Sequence, residues 1–186
     1  QKGGVGKTTT TINLAAALVE IGLRVLVVDL DPQGNASTGL GIDSTDRNLT
    51  TYDLLIGESP LSEVIRATEI EDLCIVPATV DLSSADIELI ANERRSFLLH
   101  DALRQTAMDE YEWDYVLIDS PPSLNLLTVN AMIAANSVLI PLQSEFFALE
   151  GVSQLMMTIR DVRQTANFDL RIEGIVLTMY DKRNNL

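Results

Sequence analysis

Five continuous runs of aliphatic and β-branched residues punctuate the 186-residue chain, at 24–29, 73–77, 115–119, 137–142 and 172–179. Uninterrupted runs of this length fit strands covered on both faces, whereas a strand with one wet face would alternate. Between them, residues 8–22, 83–92, 123–135 and 149–165 place apolar side chains at helical spacing. Strand and helix therefore alternate, which predicts an α/β fold: a mostly parallel sheet with right-handed crossovers and helices on both faces. Gly22 stands just past the first helical stretch, where a helix-ending glycine belongs, and fixes the first helix-to-strand boundary. Residues 39–61, rich in turn formers and polar side chains, read as an excursion within the domain.

Composition narrows this picture. A hydrophobic content of 46% suffices for one sizeable core, and without repeats or Gly/Ser-rich linkers, residues 1–186 are expected to form a single domain. Acidic residues outnumber basic ones 27 to 13, giving a formal net charge of −14. Such a field repels nucleic-acid backbones and anionic membranes, so any contact with nucleic acid has to be local. The single cysteine, Cys74, sits in the apolar run Leu73-Cys74-Ile75-Val76 and reads as a small buried hydrophobe that forms no disulfide within the chain. No signal-peptide pattern and no apolar run long enough to span a bilayer occurs, so the expected setting is reducing and cytoplasmic, without membrane contact.

The chemistry is concentrated in the opening segment, Gln1-Lys2-Gly3-Gly4-Val5-Gly6-Lys7-Thr8-Thr9. Gly3, Gly4 and Gly6 allow a sharp turn whose N–H groups point inward, and the helix that follows offers its positive end to an anion. Lys7 is placed for the β- and γ-phosphates of a nucleotide and the Thr8 hydroxyl for a magnesium ion, with Thr9 adding a phosphate contact. The pattern G-x-x-x-x-G-K-[ST] would put glycine where Gln1 stands, and Lys2 is an addition, so the match is to a deviant P-loop NTPase (deviant Walker A) form. A phosphate loop also needs a strand leading into it. A strand before Gln1 and further structure after Leu186 are therefore expected, with the chain a fragment of a longer one.

Two strands end in carboxylates beyond their carboxyl ends, where α/β folds bind ligands. The first delivers Asp29, with Asp31 two residues on and Pro32-Gln33-Gly34 behind it; the second delivers Asp119, followed by Ser120-Pro121-Pro122-Ser123. Phosphoanhydride hydrolysis needs charge neutralised by metal and lysine and a group that orients water. Asp119 suits the metal's outer shell, as a Walker B carboxylate would, and Asp31 suits the water.

With these motifs, the chain resembles the ParA/MinD family of partition and positioning ATPases, and most closely its ParA (Soj-type) branch. The carrying segments are 1–10, Val27-Val28-Asp29-Leu30-Asp31-Pro32-Gln33-Gly34-Asn35-Ala36-Ser37, 119–123, and Pro141-Leu142-Gln143-Ser144-Glu145-Phe146-Phe147-Ala148-Leu149-Glu150-Gly151. The resemblance implies weak ATP hydrolysis stimulated by a ParB-type centromere-binding partner, with ATP and Mg2+ as cofactors. It implies an ATP-dependent homodimer in which Lys2 reaches the partner's phosphates, Asp31 positions water, and Asp29 supports the metal site with Thr8 and Asp119. It places Thr178 and Met179 near adenine, and Arg183, with Lys182 beside it, at non-specific DNA, hence on the nucleoid. An iron-protein-like reductase would need cysteine thiolates that Cys74 alone does not supply. A MinD-like membrane-cycling ATPase would need a basic amphipathic C-terminal helix, and a module that only binds nucleotide would not need Asp31.

Overall fold

The valine-rich run after Arg24 becomes β1 (Val25–Asp29), and all five of its residues are buried. Its side chains divide by the two-residue period of a strand. Val25 and Val27 enter one core with Ala15, Ala36, Leu73 and Ile75, while Leu26 and Val28 enter the opposite one with Leu54, Leu82, Leu99 and Leu127. A computed structural model describes residues 4–104, 112–143 and 148–180, with backbone alone for Asp86 and residues 148–150.

The element order is α1 (Lys7–Glu20), β1, α2 (Asn35–Gly39), α3 (Thr51–Ile56), α4 (Leu61–Val64), β2 (Arg66–Ala67), β3 (Leu73–Val76), α5 (Ala85–Glu88), α6 (Leu98–Ala102), β4 (Tyr115–Asp119), α7 (Leu126–Ala134), β5 (Ser137–Gln143), α8 (Ala148–Thr165) and β6 (Arg171–Thr178). Strands β1, β3 and β4 are parallel, in the order β2-β3-β1-β4, and β2 is an antiparallel edge. Helices α1 and α2 cover one face and α3, α6 and α7 the other, as the alternation of elements predicts. A third core joins α7, β5 and α8 through Met132, Ile140, Leu155 and Ile159.

Four departures from the sequence reading have physical reasons. Among the described residues the strands form two sheets, because β5 and β6 pair with each other in parallel and not with β4. Strand β6 is not covered on both faces: Ile172, Ile175, Val176 and Leu177 are exposed, and none of its side chains joins a core cluster. The helix read at 83–92 is a composite, with 3-10 turns at Val80–Ser84 and Leu89–Ala91 flanking α5. Among its described side chains Leu82, Ala85 and Leu89 are the buried anchors, while Ile87 and Ile90 face outward. The excursion at 39–61 contains α3, whose start is a capping box: Thr50 and Asp53 satisfy each other's end of the helix, and Gly57 closes it at φ 80°. Cys74 is half-buried at the edge of a core, and burial pushes its thiol pKa up.

One buried polar side chain ties the fold together. Asn130, on α7, is 1% exposed. Its Oδ1 accepts from the Leu99 N–H at 3.2 Å, and its Nδ2 donates to the carbonyls of Arg95 at 2.8 Å and Leu126 at 3.0 Å. Asn130→Ala would strand the Leu99 donor and the Arg95 acceptor in the core. We expect urea unfolding to report a loss of roughly 2–3 kcal/mol, and a loss below about 1 kcal/mol would mean that water replaces both bonds.

Candidate active site

Helix α1 begins in a way that leaves its first turn open. Its N-cap is Gly6, at φ 86° in the left-handed region, so no side chain caps the turn, and the turn contains no acidic residue. Four N–H groups at a helix start need partners, and here they are left for an anion. Threonines are poor helix formers because their hydroxyls compete for the backbone, but here the competition is internal. Thr10 Oγ1 donates to the Gly6 carbonyl at 2.7 Å and Thr11 Oγ1 to that of Lys7 at 3.2 Å. The loop is also held from outside. Thr178 Oγ1, at the end of β6, donates to the Val5 carbonyl at 2.8 Å, and a Cβ added at Gly6 would meet Thr178 Cγ2 at 3.3 Å.

The carboxylates reach this loop through strand register. Strand β4 pairs with β1 without stagger, from Val25 opposite Tyr115 to Asp29 opposite Asp119. Asp119 is 1% exposed, and Thr8 Oγ1 donates to its Oδ2 at 2.7 Å. Thr11 Oγ1 approaches its Oδ1 at 3.4 Å. A hydroxyl has one proton and two lone pairs. Because the Thr8 proton points to Asp119, its lone pairs are free for a hard cation, and oxygen donors of this kind suit magnesium. Among the described residues no group of three or more His, Cys, Asp or Glu could hold a metal. A cation here would therefore rely on the hydroxyl, phosphate oxygens and water.

Asp31, 8% exposed, opens the loop after β1, with its Oδ1 accepting from the Gln33 N–H at 3.0 Å. That loop turns at Gly34, φ 61°, where an added Cβ would meet Arg47 Nη1 at 2.3 Å and the Ala78 carbonyl at 2.8 Å. Thr178 and Met179 line a groove of about 500 Å³ with Gly6, Thr9 and Asn13, beside the carboxylates rather than over them. Met179 turns the chain there at φ 54°, a strained value for a side chain of its size.

The structure thus brings together Gly4, Val5, Gly6, Lys7, Thr8, Thr9, Asp29, Asp31, Asp119, Thr178 and Met179. Lys2, Gly3, Lys182 and Arg183 lie outside the described residues. Sequence reasoning gave no role to Ser37 or Thr51, although both bond to Asp29. Ser37 stood within a quoted motif, whereas nothing in the sequence marks Thr51.

Burial raises the pKa of Asp119 to about 6. Thr8 opposes the shift, the neighbouring Asp29 adds to it, Lys7 opposes it, and Asp31 adds to it. Asp29 is also raised, chiefly by burial, against hydrogen bonds from Ser37 and Asp31. Between pH 3.8 and about 6 the folded state therefore holds more protons than the unfolded chain, and stability falls as pH rises through that window. For Asp119 alone the shift corresponds to about 3 kcal/mol of destabilisation at neutral pH. Asp119→Asn is expected to raise the melting temperature of the nucleotide-free protein at pH 7.5 and to flatten its fall between pH 4 and 7. A lower melting temperature across that range would contradict the burial of a charged Asp119.

Comparison with known proteins shows what the chain is similar to. A family model described as an AAA domain matches residues 1–172. The chain is 58% identical, over its whole length, to the chromosome partitioning protein ParA of Caulobacter vibrioides, covering 69% of that protein. It is 51% identical over its whole length to the sporulation initiation inhibitor protein Soj of Bacillus subtilis, covering 72% of it. A crystal structure of cobyrinic acid a,c-diamide synthase from Mycobacterium smegmatis, with an ATP analogue and magnesium bound, superposes with a TM-score of 0.91 at 42% identity. The match covers 98% of this chain and 73% of that one.

Proposed function

The chain belongs to the AAA domain family, among partitioning ATPases of the ParA and Soj type, and from that premise we propose that it is an ATP-driven switch in DNA segregation. The observation that carries the reading is the open first turn of α1 set against the Thr8–Asp119 pair at 2.7 Å. The backbone N–H groups of Gly3, Gly4, Val5 and Gly6 receive the phosphates of ATP, with Lys7 neutralising the β- and γ-groups and Thr9 adding a contact. Thr8 binds Mg2+ directly and Asp119 holds Thr8 from behind, with the charge of Asp29 one strand away. When bound, the metal would supply positive charge that offsets the charge of the phosphate groups. Asp31 orients the attacking water, and Thr178 and Met179 flank the base in the groove beside Gly6.

Residues 1–186 act as one ATP-binding unit, and two such units close on ATP, with Lys2 of each neutralising charge on the other's phosphates. The closed homodimer binds DNA without sequence preference through Lys182 and Arg183, a local basic contact on a chain whose net charge is −14. Intrinsic hydrolysis is slow, a ParB-type partner accelerates it, and release from DNA follows. Nucleoid association is a consequence of the DNA contact. No described helix is long and apolar enough to cross a membrane.

Two substitutions in the full-length parent separate the steps. Asp31→Ala is expected to keep ATP, the dimer and DNA, and to lose turnover by roughly a hundredfold in a phosphate-release assay; unchanged turnover would remove Asp31 from the reaction. Lys2→Ala is expected to bind ATP as a monomer in sedimentation velocity and to lose DNA co-sedimentation. A variant that still dimerises and binds DNA would end the role across the interface.

A further inference from the structure

Asp29 occupies an unusual place for a carboxylate beside a metal site. It is 0% exposed, and the chain that follows it takes up both oxygens. Oδ1 accepts from the Asp31 N–H at 3.1 Å, and Oδ2 accepts from the Ser37 N–H at 2.9 Å and the Ser37 hydroxyl at 2.7 Å. A carboxylate offers about four lone-pair sites, and these three bonds leave little to offer a cation that keeps its own water shell.

The partners of Asp29 mark the two ends of one loop. Asp31 begins it and Ser37 ends it, inside α2, with the turn at Gly34 between them. Ser37 is itself 0% exposed and passes the connection on, its Oγ accepting from the Ala78 N–H at 3.0 Å. Arg47 holds the other side of Ala78, donating to its carbonyl at 3.0 Å and to Thr38 Oγ1 at 2.8 Å. Thr51 Oγ1 reaches the Asp29 carbonyl at 2.7 Å and the Pro77 carbonyl at 3.1 Å. The loop carrying Asp31 is thus cross-braced to the ends of both β1 and β3.

We propose that Asp29 is a positioning residue rather than a magnesium ligand: with Ser37 as its counterpart it clamps the 31–37 loop at both ends and sets where the Asp31 carboxylate stands. The inference rests on Asp31 as the water-orienting group. A loop released at one end still lets nucleotide and metal bind, but it misplaces the carboxylate that meets the water. Misplacement by about 1 Å at such a point costs up to about a hundredfold in rate.

The test uses the full-length protein with ATP and magnesium chloride. Ser37→Ala removes the hydroxyl that bonds both Asp29 and Ala78, and Asp29→Asn sets an amide against the donors of the loop. Both are expected to lower kcat roughly tenfold or more, with KM for ATP and the half-saturating magnesium concentration within about twofold of the parent. Ser37→Thr, which keeps the hydroxyl, is expected to recover most of the rate. A tenfold rise in the magnesium requirement of Asp29→Asn would make Asp29 a ligand and overturn the proposal. Full turnover in Ser37→Ala, alongside lost turnover in Asp31→Ala, would overturn the clamp and leave the role of Asp31 intact. If Asp31→Ala turns over normally, the underlying reading of Asp31 fails, and the magnesium titration of Asp29→Asn still decides whether Asp29 is a ligand.

Discussion

The site depends on the unstaggered parallel pairing of β1 with β4. Because Val25 lies opposite Tyr115 and each later residue keeps step, Asp29 and Asp119 end their strands at the same level. A one-residue slip would turn one of the two to the opposite face of the sheet. The pairing places two buried carboxylates side by side, both with pKa values raised chiefly by burial, at the mouth of a helix whose first turn is uncapped. Neither half is comfortable alone. A buried carboxylate favours a cation and an uncapped helix start favours an anion, and a magnesium–nucleotide complex would supply both in one ligand.

Stability and function pull against each other in this arrangement. The folded chain carries a charge cluster that neutral pH destabilises, and it offsets the cost with dense cores on both faces of β1. The loop after β1 is braced by Asp29, Ser37, Arg47 and Thr51, whereas among the described residues the end of β6 bonds to the phosphate loop through Thr178. A change at the phosphates therefore meets a stiff wall on the β1 side and a lighter contact on the β6 side, beside the groove lined by Thr178 and Met179.

Much of this was legible in the sequence because local chemistry and global fold agreed. Strand β1 announced itself through uninterrupted valine and leucine, and Asp29, Asp31 and Asp119 through their place at strand ends. The phosphate loop was visible because only a glycine-rich turn ahead of Lys7 and Thr8 makes physical sense there. Helix α3 was hidden by the polar and glycine residues around it, although Thr50 and Asp53 spelled its cap. The exposure of β6 could not be read from its apolar run, since composition does not say which faces find a neighbour. Ser37, Thr51 and Asn130 were out of reach for another reason: a buried polar side chain gains its meaning from partners 22 to 41 residues away, such as Asp29, Ala78 and Leu99.

The most direct test of the claim that burial beside the cation site holds the Asp119 pKa at about 6 is calorimetric. Titration of preformed magnesium–ATP into the nucleotide-free protein, in buffers of differing ionisation enthalpy, counts the protons exchanged on binding. With the Asp119 pKa at about 6, roughly half a proton is expected to leave at pH 6, and almost none at pH 8. Binding heats at pH 6 that do not depend on the buffer, or that report proton uptake, would mean that Asp119 is already ionised and that the strand register does not create the site described here.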